Sequence, residues 1–318
     1  MTALRVAVVC GGRSAENEVS RTSGQQVLQA LRARGHQAER IEADEELWDA
    51  LRGGAWDVAF LALHGRFGED GTVQGVCELL DVPYTGSSLL ATALCLDKAM
   101  AKRVLVAEGI NTAPWRVVPR HLDPGAALSA MRETAAALGY PLVAKPNRGG
   151  STIGLSIVRA DGELAAAYHT AAEHDTVLCE RFVDGLEITI GVLGHNPPEA
   201  LPTLEIVSHR PLYDYAAKYT AGQSEHVIPA RLPEEQRRAA QRAAERAHAA
   251  LGCYSMSRVD VIVDRAGAPW VIEVNAIPGL TELSLLPDAA RAAGIGFEDL
   301  CDRLVREAVQ RHAEDRPI

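Results

Sequence analysis

Arg258, Asp260, Glu273 and Asn275 stand at alternate positions in two otherwise mostly apolar runs, Arg258-Val259-Asp260-Val261-Ile262-Val263-Asp264 and Pro269-Trp270-Val271-Ile272-Glu273-Val274-Asn275. Both runs are rich in β-branched residues, and the short Gly-containing segment between them predicts an antiparallel hairpin. Pairing Asp264 with Pro269 sets Asp260 opposite Glu273 and Arg258 opposite Asn275. Side chains alternate along a strand, so all four share one face. Opposed carboxylates, with Cβ atoms roughly 5 Å apart, destabilise a sheet unless something neutralises them. A divalent cation would do so, and two carboxylates with a carboxamide offer the oxygen-only donor set that Mg2+ accepts beside water and phosphate. A solvated acidic surface is the plainer alternative, and the hairpin alone does not choose between them.

Other residues suit phosphate and amino-acid chemistry. Lys145 ends a strand-like run, Tyr140–Pro146, ahead of the glycine- and hydroxyl-rich Asn147-Arg148-Gly149-Gly150-Ser151-Thr152-Ile153-Gly154, and a second strand follows. Such a loop offers N–H and O–H donors to phosphate. With no G-K-[ST] and no following helix it is a lid over phosphates or an ordinary turn, not a P-loop. Glu180 to Val183 end one strand and Glu187 begins the next, where an adenine edge and ribose hydroxyls could be read; alone, these acids would be surface charges. Glu16 follows the Gly11-Gly12 turn and could take a substrate ammonium, or serve as a helix first-turn acid. His64 opens the glycine-rich His64–Gly71 loop and could orient a carboxylate or acyl phosphate, or be structural. Lys98 lies on a largely apolar helix, where nothing local assigns it a task.

These residues need a scaffold. The chain has 318 residues, enough for two or three domains, and its 47% apolar content supports a sizeable core. The strand Leu4–Cys10, the glycine turn and a helix are followed by QAERIEA, ELWDALRG and DVAFLAL, a β/α alternation that predicts a parallel sheet. G-x-G-x-x-G is missing, which counts against dinucleotide binding. PEEQRRAAQRAAERAHAALG predicts a helix with Ala240, Ala243, Ala244, Ala247 and Leu251 on one face and its arginines in water, and a second amphipathic helix closes the chain. The six cysteines lack a C-x-x-C pair, which predicts reduced thiols. No apolar span of membrane length and no leader segment is evident, so a cytoplasmic protein without a membrane partner is expected. A net charge of -10 counts against nucleic acid.

In order, GGRSAENEVS, LHGRFGEDGTVQG, LDKAMAKRVL, VAKPNRGGSTIGLS, LYDYAAKY, SRVDVIVD and IEVNAIPGLTELSLLP make a chain that resembles the D-alanine–D-alanine ligases of the ATP-grasp superfamily. The resemblance implies an α/β (mixed α+β) fold of three domains: 1–98, a parallel β/α domain; 99–185, a central lid; and 186–318, a catalytic domain, with ATP between the last two. It implies ATP on Lys98, Lys145, Ser151, Glu180, Phe182, Val183, Glu187 and Lys218, and two Mg2+ (or Mn2+) on Asp260, Glu273 and Asn275. Arg258 and the Gly279 N–H would form an oxyanion hole. Glu16 would hold the ammonium of the first D-alanine, His64 would assist, and Ser284 with Leu285 would take the carboxylate of the second. Tyr219 would close the site with Glu16 and Ser151, and a homodimer is expected. The sequence departs from the family pattern at Asn147, Gly149, Thr152 and Ala276, and at Glu282 and Leu283 beside the second-substrate site. A ligase with another acceptor, such as D-serine, D-lactate or a secondary-metabolite amine, and a silent nucleotide-binding regulator are the competing readings.

Overall fold

The computed structural model describes residues 2–14, 16–150, 153–208, 224–282 and 284–315. Strand β1 (Arg5–Cys10) is flanked in parallel by β2 (Gln37–Glu42) and β3 (Val58–Leu61), in the order β2-β1-β3. A strand buried on both faces must be apolar throughout. Val6, Val8 and Cys10 pack with Val27, Leu28 and Leu31 of α1 (Asn17–Ala33), while Ala7 and Val9 pack with Leu47 and Leu51 of α2 (Leu47–Gly53) and Val73 and Cys77 of α3 (Thr72–Leu79). Helix α1 approaches closely because Gly24 has no side chain: a Cβ there would stand 2.5 Å from that of Cys10.

Helices α4 (Leu89–Leu96) and α5 (Lys98–Ala107) follow, capped by Ser88 and Asp97, whose side chains accept from the Ala91 and Met100 N–H groups. The next sheet is antiparallel, β4-β7-β5-β6, built from β4 (Trp115–Val118), β5 (Leu142–Pro146), β6 (Ser156–Val158) and β7 (Val177–Arg181). Helices α6 (Pro124–Leu138) and α7 (Leu164–Ala172) cover one face through Met131, Leu138, Leu164 and Tyr168 against Leu142, Ala144 and Cys179. Alternation then puts Lys145 and Glu180 on the opposite face.

The third sheet runs β11-β10-β8-β12-β13 with β9 on the side of β8. Its strands are β8 (Gly185–Gly194), β9 (Pro198–Ala200), β10 (Leu204–Ser208), β11 (Ser224–Val227), β12 (Met256–Asp264) and β13 (Pro269–Asn275). Helix α8 (Glu234–Ala250) lays Ala240, Ala244 and Ala247 on Ile188, Ile190, Val259 and Val261. Helices α9 (Leu285–Ala292) and α10 (Phe297–Asp315) complete the chain, and Leu300, Leu304 and Val305 of α10 join the core under β1.

The hairpin register holds where it bears on chemistry and slips elsewhere. Arg258 faces Asn275 and Asp260 faces Glu273, but a bulge after Asp260 sets Val261 against Val271 and Val263 against Pro269. The expected Asp264–Pro269 pair is therefore displaced by one residue. Strict alternation would have placed Val271 beside Glu273 on the polar face; the extra residue, Ile272, turns Val271 into the core with Val261 and Val274. All six cysteines are free and buried. Among the described residues, no helix is long and apolar enough to cross a membrane.

Candidate active site

The polar hairpin face is half-buried and internally neutralised. Arg258 grips Asp260 with a two-pronged contact, Nε to Oδ1 at 3.0 Å and Nη2 to Oδ2 at 2.9 Å, and Thr189 of β8 donates to Asp260 Oδ1 at 2.6 Å. Lys98 reaches from the start of α5 to Glu273 Oε2 at 3.3 Å. Asn275 turns its amide oxygen to the Ile277 N–H, which starts the turn toward Gly279. Glu187 shares the face of Thr189 on β8, opposite Ile262. Among the described residues the opposed acids thus meet the Arg258 guanidinium and the Lys98 ammonium. The fit to a divalent cation rests on three oxygen-bearing side chains on one face, with Arg258 and Lys98 standing where the cation's charge would be needed.

Lys98 also joins the glycine loop to this face, donating to the Gly149 carbonyl at 2.6 Å. Buried Asn147 holds the base of the loop on α5: its Oδ1 accepts from Ala99 N at 2.9 Å and its Nδ2 donates to Asp97 Oδ1 at 2.8 Å. A departure from the family pattern therefore has a local structural role here.

Behind the loop lies a second charge cluster. Glu180 Oε1 is 2.7 Å from Lys145 Nζ, and Oε2 is 3.4 Å from Lys102 Nζ. Burial by itself would raise the Glu180 carboxyl; Lys145, then Lys102, outweigh it and hold the group below its ordinary range. Burial likewise opposes the charge on Lys145, but Glu180 and Glu273 overcome it and its pKa is raised. Lys102 is 1% exposed, and burial draws its pKa down to about 8 although Glu180 faces it. The two lysines differ because Lys145 lies closer to Glu180 and also feels Glu187, whereas Lys102 is further lowered by the neighbouring Lys145 charge. Among the described residues Oε1 of Glu180 is a buried acceptor with no aligned hydrogen-bond donor, despite the charge contact with Lys145. That spare acceptor suits a donor on a bound ligand such as an exocyclic amine. Phe182 and Val183, both half-buried, form the connection that leaves β7, with Phe182 N donating to the Pro141 carbonyl at 3.2 Å.

The remaining candidates gather at the carboxyl ends of the parallel strands and on the turn after β13. Glu16 precedes α1 without capping it through its side chain. A Cβ on Gly65 would stand 3.1 Å from Glu16 Oε2 and one on Gly150 would stand 3.9 Å away, so this carboxylate lies between the His64 loop and the glycine loop. His64 is buried, with Nε2 3.3 Å from Ser23 Oγ and Nδ1 3.7 Å from Glu69 Oε1. Gly279 is tight against Ser284: a Cβ would come within 2.9 Å of its Oγ. Ser284 Oγ also accepts from Thr281 N at 3.1 Å, and Leu285 begins α9 directly after it. Ser151, Lys218 and Tyr219 lie outside the described residues.

Lys102 was not singled out by sequence reasoning. The signal was present, since Lys98 and Lys102 are four residues apart and share a helix face.

The family model for the D-ala D-ala ligase N-terminus matches residues 36–87, and that for the C-terminus matches 104–306. The chain belongs to the D-alanine–D-alanine ligase family. Lys98 and Lys102 fall between the two matched stretches of this family, so their placement rests on the structure. The chain is 46% identical over 309 residues to a D-alanine–D-alanine ligase of Pelotomaculum thermopropionicum, covering 96% of this chain and 97% of that protein. It is 48% identical over 299 residues to one from Nitrosospira multiformis, covering 93% and 94%. Its fold is similar to the crystal structure of D-alanine–D-alanine ligase from Bacillus anthracis complexed with ATP, with a TM-score of 0.84 and 34% identity over 99% of this chain and 100% of that one.

Proposed function

We propose that this protein is an ATP-dependent D-alanine–D-alanine ligase, which makes the dipeptide for peptidoglycan precursors through a D-alanyl phosphate and releases ADP and phosphate. The observation that carries the reading is the meeting of Lys98, the Gly149 carbonyl and Glu273. A cation, a glycine loop and an acidic hairpin face converge there, as phosphoryl transfer requires. Amide formation in water is uphill, so the acid must first be activated.

In this proposal Glu16 receives the first D-alanine's ammonium beside the glycine loop, with His64 supporting that wall, and Lys98 and Lys145 bind the α- and β-phosphates. Glu180, Phe182, Val183 and Glu187 take the adenosine. Asp260, Glu273 and Asn275 would hold two Mg2+ or Mn2+ ions, which supply charge neutralisation on the transferring phosphoryl group. To do so Asp260 must leave Arg258, and that release frees the guanidinium to face the acyl oxygen with the Gly279 N–H. Ser284 and Leu285 take the second carboxylate. Ser151, Lys218 and Tyr219 complete the closure that keeps water from the acyl phosphate. The domain limits 1–98, 99–185 and 186–318, a cytoplasmic location and a homodimer belong to the same proposal.

The test is phosphate release with ATP, Mg2+ and a panel of D-amino acids and D-hydroxy acids, with products identified by mass. Release with D-alanine alone and a D-Ala-D-Ala product is expected. A product only with D-lactate or D-serine as acceptor would overturn the specificity, and no turnover with any acid would overturn the activity.

A further inference from the structure

Lys102 lies one turn beyond Lys98 on α5 and is sealed from solvent. Its ammonium donates to Thr112 Oγ1 at 2.7 Å and lies 3.4 Å from the Ala113 carbonyl and from Glu180 Oε2. The Trp115 ring lies beside it, 5.8 Å from Nζ to the centroid. Thr112 in turn donates to the Val271 carbonyl of β13 at 2.7 Å. One buried charge therefore ties α5, the lid strand that carries Glu180, and the hairpin that carries Glu273. A methionine would fill similar space without the desolvation cost of an ammonium, so the charge itself calls for an account.

That account lies in the two oxygens of Glu180. Oε2 is turned to Lys102, while Oε1 meets the Lys145 ammonium at 2.7 Å and, having two lone pairs, keeps a further acceptor position. An ionised carboxylate only accepts, so it favours a purine with a 6-amino donor and disfavours one with a 6-oxo acceptor. Left with Lys145 alone, both oxygens would turn to the one remaining cation, and the orientation would be lost. We propose that Lys102 is a positioning residue for purine recognition, holding Glu180 so that its free acceptor selects a 6-amino over a 6-oxo purine. Lys102 is too deeply buried to touch the nucleotide itself. The proposal rests on the assignment of Glu180 to the adenosine site made above.

Calorimetric binding of ADP and IDP, neither of which is turned over, tests it on wild type, Lys102→Met, Lys102→Arg and Thr112→Val. Wild type should prefer ADP by about tenfold or more, the scale of a hydrogen bond to a charged group. Lys102→Met should narrow this to within about threefold, and Lys102→Arg should restore part of it, since the charge rather than the packing is at stake. Thr112→Val, which keeps the ammonium and removes its anchor, should reduce the preference by an intermediate amount and serves as the test if Lys102→Met does not fold. An unchanged ADP/IDP ratio in Lys102→Met, or in Thr112→Val where that variant carries the test, would make the lysine merely structural and overturn the proposal. Equal binding of ADP and IDP by wild type would overturn the Glu180 assignment and this inference with it, yet leave dipeptide synthesis standing as a separately measured result.

Discussion

Arg258 and Asp260 clasp one another through two guanidinium nitrogens, Nε and Nη2, and both carboxylate oxygens, and the proposed mechanism assigns each elsewhere during turnover. Under the proposed mechanism the pair is a resting arrangement in which the proposed metal ligand and the proposed oxyanion donor neutralise each other. Arg258→Ala should cost about 10²–10³ in kcat, the scale of one lost oxyanion donor, while ADP binding persists. Arg258→Lys should recover little, because an ammonium cannot reproduce the planar fork. Phosphate-release kinetics beside ADP calorimetry check both, and near wild-type turnover in Arg258→Ala would remove the residue from the acyl centre. At this scale the hairpin residues were legible because strand alternation alone places them on one face. Lys102 was not, since its partners Thr112, Glu180 and Val271 come from distant segments.

Elements hold these residues through buried polar links as much as through apolar cores. His248, in the last turn of α8, is fully buried, with Nδ1 2.7 Å from Ser257 Oγ and Nε2 3.1 Å from the Gly194 carbonyl. Nε2 must donate to that carbonyl, so Nδ1 is left to accept from the serine and the ring is neutral. Burial lowers its pKa from 6.5 to about 4. Between those values the unfolded chain binds a proton that the folded one refuses. Stability is thus complete above pH 6.5 and falls as pH drops toward 4, by roughly 3 kcal/mol for this group. Urea unfolding between pH 7 and 4 should show this slope for wild type and a shallower one for His248→Gln; equal slopes would exclude the histidine as its source. The α8 helix itself was legible from its alanine spacing and its charged first turn. The bulge at Ile272 was not, because whether Val271 enters the core depends on what packs beneath it.

Over the whole molecule, the candidate active face is assembled from α5, the β4-β7-β5-β6 sheet, the hairpin and the loops above the first sheet, and each brings charge that another balances. Asp260 has Arg258, Glu273 has Lys98, and Glu180 has two lysines. Since these pairs come from the chain itself, chelation should abolish phosphate release and leave the thermal midpoint unchanged. A fall in the midpoint on adding EDTA would show that the opposed acids depend on metal for stability. The closing helix extends the same design, since α10 completes the core beneath β1 and Asp302 meets His36 Nε2 at 2.7 Å. By itself, the amino-acid order determined the parallel opening sheet, the hairpin with its acidic face, the glycine loop between two strands and the family, because each follows from local periodicity or from ordered motifs. Only the tertiary structure decided which cation meets which acid, where the hairpin register slips and why Lys102 is charged in the interior. Those outcomes depend on distances between remote segments and on burial, which one-dimensional spacing does not contain.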